Sequence, residues 1–172
     1  DGDSIVGKDW ILTHLAQYHD PLTQITTGTV LPLTNHTLLS QFQWLDFVSM
    51  MAVTTNGIYR KSYFLGNAAN LSYLKSAFIT HDGFEGNLDR ASGDDIYLIQ
   101  KMANTNADSV AFNNSRNAIV FTKSEVTWHD FFTQRKRWAS KAMSGFDSHV
   151  KWVQGFIFAY TLIMVLWLPI TI

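Results

Sequence analysis

The sequence contains no cysteine, so a disulfide framework and thiolate metal sites are both excluded. Charge is scarce as well. Charged residues make up 16% of the 172 residues, against roughly a quarter in an ordinary soluble domain. Aromatics reach 14%, and the two shifts together point toward membrane association. The net charge of −1 leaves no global basic field, so nucleic acid is not an expected partner. None of the six histidines stands in a ligand spacing such as His-Glu-x-x-His, and no zinc site is suggested. The phosphate loop Gly-x-x-x-x-Gly-Lys-Ser/Thr, the dinucleotide fingerprint Gly-x-Gly-x-x-Gly and the nucleophile elbow Gly-x-Ser-x-Gly are all missing. The first residues carry neither the basic nor the apolar stretch of a signal peptide, and the chain reads as part of a longer protein.

What is present alternates between helical and strand patterning. Apolar residues recur at three and four positions over 10–18, where Asp20-Pro21 closes a predicted helix. Residues 25–33 alternate β-branched and small residues up to Pro32 and predict a strand. Helical spacing returns over 38–53, 73–78, 96–103 and 127–143, with short strands predicted at 109–112 and 118–122. Such alternation favours a layered α/β domain.

Residues 153–172 carry no charge, and their length matches the roughly 20 residues that cross a bilayer. A transmembrane helix is predicted there. Arg135, Lys136, Arg137, Lys141 and Lys151 precede it closely, which places the preceding domain on the cytoplasmic side. The organisation expected is a catalytic region at 1–126, an amphipathic interfacial helix at 127–150 with Trp128, Phe131 and Phe132 toward lipid, and the span at 151–172.

Three clusters carry potential chemistry. Asp1 and Asp3 flank a glycine, a spacing at which two carboxylates can meet one hard divalent cation, Mg²⁺ or Mn²⁺, alongside a diphosphate. Ser92-Gly93-Asp94-Asp95 opens the predicted helix at 96–103, where Ser92 can cap it, the acids oppose its dipole, and one carboxylate can act as general base. Gln134, Arg137 and Trp138 are related by three and four residues and share a helix face. An amide, a guanidinium and an indole suit phosphate oxygens and the apolar side of a sugar ring.

The order Asp1-Gly2-Asp3, Asp94-Asp95, Gln134-x-x-Arg137-Trp138 and then a span resembles the membrane-integrated family 2 glycosyltransferases, the group of cellulose, hyaluronan and ceramide-glucosyl synthases. Gly66-Asn67-Ala68-Ala69-Asn70-Leu71 and Gly83-Phe84-Glu85-Gly86 extend the likeness over most of the chain. The resemblance implies the C-terminal half of a GT-A fold, a mixed sheet with flanking helices. It also implies a nucleotide-sugar donor, often uridine-linked, and transfer with inversion to a sugar or lipid acceptor.

By position, Asp1 and Asp3 would hold the metal on the diphosphate, Asp95 would be the base with Asp94 beside it, Gln134 and Arg137 would contact diphosphate, and Trp138 would border the acceptor. The acidic pair departs from the Glu-Asp of many members. The nucleotide-binding half would precede Asp1 in the parent protein, leaving this fragment inactive alone. Two other readings stand beside this one: a metal-dependent phosphohydrolase, and a membrane-anchored interaction domain without catalysis.

Overall fold

A computed structural model describes residues 2, 4–87, 93–142, 152, 155, 156, 159, 160 and 163. The chain divides into two compact units, Asp1–Ser124 and Glu125–Ile172.

The first unit is mixed α/β. Its strands are β1 (Ile5–Val6), β2 (Ile25–Gly28), β3 (Val30–Pro32), β4 (Leu71–Tyr73), β5 (Val110–Asn113) and β6 (Val120–Thr122). Its helices are α1 (Trp10–Gln17), α2 (Leu38–Tyr59), α3 (Lys75–Thr80) and α4 (Asp94–Thr105). The strands form two three-stranded sheets, ordered β1-β6-β3 and β4-β2-β5. Each sheet has one parallel pair, β3 with β6 and β2 with β5, and one antiparallel pair.

The single strand expected at 25–33 is two strands in two sheets, and the break falls at Thr29. The Thr29 carbonyl turns out of the β2 ladder and accepts both the Val120 amide at 3.0 Å and the Asn70 side-chain amide at 2.8 Å. Alternation in the sequence registers extended backbone, and it cannot register a change of partner. The helix expected at 38–53 runs on to Tyr59, through threonines and a glycine of poor helix propensity. Tyr63 supplies the reason: its ring packs on Gly57 where a Cβ would collide, and its hydroxyl donates to the Val53 carbonyl at 3.0 Å. The segment 73–78 splits between the end of β4 and the start of α3, because Tyr73 pairs with Ile25 across the sheet. Strand β1, two residues long, lies below what periodicity can detect.

α4 packs its Leu98, Ile99, Met102 and Ala103 into the core with Ile25, Ile58, Ala77 and Val110. Burial of each large aliphatic side chain contributes roughly 1.5–3 kcal/mol before conformational entropy is set against it. The N-terminal end of α4, which carries the acidic pair, is thereby anchored to a rigid body.

The second unit contains α5 (Trp128–Ala142). Thr127 caps its start: the hydroxyl oxygen accepts the Asp130 amide at 3.1 Å while the hydroxyl donates to Asp130 Oδ2 at 2.6 Å. Among the described residues no helix is long and apolar enough to cross a membrane. Most of the span expected at 153–172 lies outside the described residues.

Candidate functional site

Asp94 and Asp95 are the first two residues of α4, and Gly93 precedes them at φ 93°, a left-handed conformation that a residue with a Cβ adopts only with strain. Gly93 rather than Ser92 occupies the capping position, and it offers no side-chain bond to the helix. Ser92 lies outside the described residues. The Asp95 carboxylate takes up the end of the helix instead: Oδ1 accepts the Ile96 amide at 2.8 Å. Its other oxygen, Oδ2, accepts the Ala68 amide at 3.0 Å from a segment 27 residues earlier. Asp94 is exposed, and Asp95 is half-buried.

Burial pushes the Asp95 carboxyl above its ordinary value. The Ile96 and Ala68 amides, which bond the charged form, oppose that rise, and the neighbouring charge of Asp94 adds to it. A carboxylate whose basicity is raised yet whose two oxygens are both held in place is suited to receiving a proton from a bound hydroxyl.

The Ala68 amide belongs to a 3-10 turn, Ala68–Asn70, capped by Asn67, whose side chain accepts the Ala69 amide at 3.0 Å. Asn70 locks that turn into the fold. Its carboxamide nitrogen donates to the Thr29 carbonyl at 2.8 Å and the Ala118 carbonyl at 2.7 Å. Both hydrogens being spent, Oδ1 must accept, and it receives Trp10 Nε1 at 3.0 Å and His14 Nε2 at 2.9 Å. His14 therefore carries its hydrogen on Nε2, and Nδ1 accepts from the Ser72 hydroxyl at 2.8 Å. Ser72 in turn accepts from the Tyr18 hydroxyl at 2.7 Å. Burial holds His14 below its ordinary pKa, which suits this neutral tautomer, with the Asn70 bond acting in the opposite sense.

A second set of bonds holds the loop ahead of the acidic pair. Tyr97 donates to the Glu85 carbonyl at 2.6 Å, and Lys101, one turn along α4, reaches the same carbonyl at 3.1 Å. Lys101 also lies over the Tyr97 ring, 5.6 Å from its centre.

In the second unit, Gln134 is engaged at both ends of its amide. Nε2 donates to Glu125 Oε1 at 2.7 Å, and Oε1 accepts from Arg135 Nη1 at 2.7 Å. The Arg135 guanidinium lies 4.7 Å from the Phe131 ring centre and 4.2 Å from that of Trp138. Phe131, Arg135 and Trp138 stand at i, i+4 and i+7, so one helix stripe stacks ring, cation and ring. Arg135 is buried and Arg137 is exposed. Arg135, two residues before Arg137 and on another side of the helix, is a further member of the cluster around Trp138, and its spacing from two aromatics was the available signal. Phe131 has no exposed surface, so of the three aromatics assigned to lipid only Trp128 and Phe132 retain any.

Asp1 and Asp3 lie outside the described residues. Among the described residues no group of three or more histidine or carboxylate side chains is arranged to hold a metal ion. No protein-family model matches the chain, and no curated protein matches it.

Proposed function

We propose that this chain is the C-terminal part of a GT-A glycosyltransferase that moves a sugar from a nucleoside diphosphate, with UDP the expected carrier, to an acceptor hydroxyl with inversion. The observation that carries the reading is Asp95: a half-buried carboxyl of raised basicity, held by two backbone amides at the first turn of a core-anchored helix. That is what a general base for a hydroxyl acceptor requires. The ordered motifs of the sequence support it from the other side.

In this reading Asp95 takes the proton from the attacking hydroxyl and the exposed Asp94 sits beside it. Asp1 and Asp3 would hold Mg²⁺ or Mn²⁺, which would supply positive charge toward a departing diphosphate. Gln134 and Arg137 contact the diphosphate and Trp138 borders a sugar or lipid acceptor. The engaged amide of Gln134 and the stack of Arg135 on Trp138 orient those two side chains before any ligand arrives, which lowers the cost of binding. The reaction takes place at the cytoplasmic face of a membrane.

The test uses the full-length parent protein with Mn²⁺, a panel of uridine diphosphate sugars and mass spectrometry of the products. Asp95→Asn is expected to cut transfer by 10²-fold or more, as removal of a general base does, while nucleotide-sugar binding persists. Undiminished transfer by that variant refutes the assignment.

A further inference from the structure

We propose that Asn70 is the positioning residue for Asp95, acting through the Ala68 amide that its side chain holds in place. The role rests on Asp95 being the base.

Asn70 is fully buried and spends all four of its side-chain hydrogen bonds. Two go to backbone carbonyls, at Thr29 between the two sheets and at Ala118 just before β6, and two come from α1. Thr27 adds a fifth tie by donating to the Asn70 carbonyl at 3.2 Å. The turn Ala68–Asn70 is three residues long, and Asn70 N closes it on the Asn67 carbonyl at 2.9 Å. Fixing Asn70 therefore fixes Ala68, two residues away in a tight turn, and Ala68 N–H is the one bond to Asp95 that comes from outside α4 among the bonds described. The Ile96 amide moves with the helix and cannot report where the rest of the fold stands. Ala68 can, and it locates the carboxylate relative to both sheets.

The chain offers a clean way to remove this bond. Ala68 is the first residue of its turn, and Asn67 before it is extended at φ −133°, ψ 126°. Proline favours the first helical position and an extended predecessor, so Ala68→Pro keeps the backbone path while deleting the donor and setting its ring Cδ where the hydrogen was, which displaces Asp95 Oδ2. Ala68→Gly keeps the donor and serves as control.

The readout is the Asp95 carboxyl carbon followed by ¹³C NMR across pH in the full chain. Because the Ala68 bond favours the charged form, its loss raises the pH at which Asp95 titrates. Asn70→Ala and Ala68→Pro are both expected to shift the titration upward, with Ala68→Gly near the parent. Asp94 is unchanged in all three variants, so its repulsion does not enter the difference. Should Asn70→Ala fail to fold, Ala68→Pro decides the role of the amide, and a folded Asn70→Ser then tests the side chain. A titration in folded Ala68→Pro or Asn70 variants that matches the parent overturns the proposal. This readout needs no substrate: a null result here removes the positioning role, whereas undiminished transfer by Asp95→Asn removes the base and leaves the coupling standing.

Discussion

A carboxamide has two donor hydrogens and an oxygen with two lone pairs, and at Asn70 all are used inside the protein. Replacement by alanine takes the partner from the Ala118 carbonyl, an indole N–H and an imidazole N–H, at about 1–3 kcal/mol for each group that water cannot reach, while the Thr29 carbonyl keeps the Val120 amide. The geometry around this side chain has a second requirement. A Cβ added at Gly28 would stand 2.7 Å from Asn70 Nδ2, so Gly28→Ala forces the amide off its carbonyls. The expected loss is about 1–3 kcal/mol, the usual range for overpacking, measured as a fall in the urea midpoint. His14 gives a pH dependence with a definite sign. Its folded pKa lies below the ordinary 6.5, so below that pH the unfolded chain binds more protons than the folded one. Stability then rises with pH in this window and is lost on acidification through 6.5 toward the folded pKa. Urea midpoints measured on either side of that pH are expected to fall less on acidification in His14→Gln than in the parent. An equal acid loss in both excludes His14 as its source.

At the scale of elements, the sequence was most legible where one face of a long helix is buried. α4 begins and ends within about two residues of the positions that apolar spacing predicts, because Leu98, Ile99, Met102 and Ala103 write their burial directly into the period; α1 matches as closely, although Ile11 and Leu15 of its apolar pattern are exposed. It was least legible where a distant residue decides. Tyr63 extends α2 past Gly57, and Thr29 changes sheet to meet Asn70. The acidic pair was readable as side chains, whereas the group that holds Asp95 from outside its helix was not, since an amide hydrogen is the same at every residue but proline. Arg135 was readable in principle from its spacing to Phe131 and Trp138, yet counted only as one of several basic residues near the expected span. The Thr127 cap of α5 can be tested by itself. Thr127→Ala removes the acceptor for the Asp130 amide and is expected to cost about 1 kcal/mol of local helix stability. Hydrogen exchange at the Asp130 amide checks it: exchange as slow as in the parent would mean that the cap contributes nothing.

For the whole molecule, the proposed membrane attachment has two modes, a span that crosses and a helix that lies in the interface. Both modes have support in the sequence, and they respond to different treatments. A helix lying in the interface is held partly by Arg and Lys against anionic headgroups, an attraction that salt screens. A span such as the one expected at 153–172 has no charge to screen and is held by about 20 residues of apolar surface. If the span holds the chain, the full chain reconstituted with vesicles containing phosphatidylserine stays in the pellet through washes with high salt and alkaline carbonate. A version ending at residue 150, which keeps α5 with its basic residues, is then released by salt alone. Release of the full chain by salt would assign all membrane attachment to the basic helix. It would also leave the proposed catalytic unit without a cytoplasmic assignment, because basic residues set orientation only around a segment that crosses.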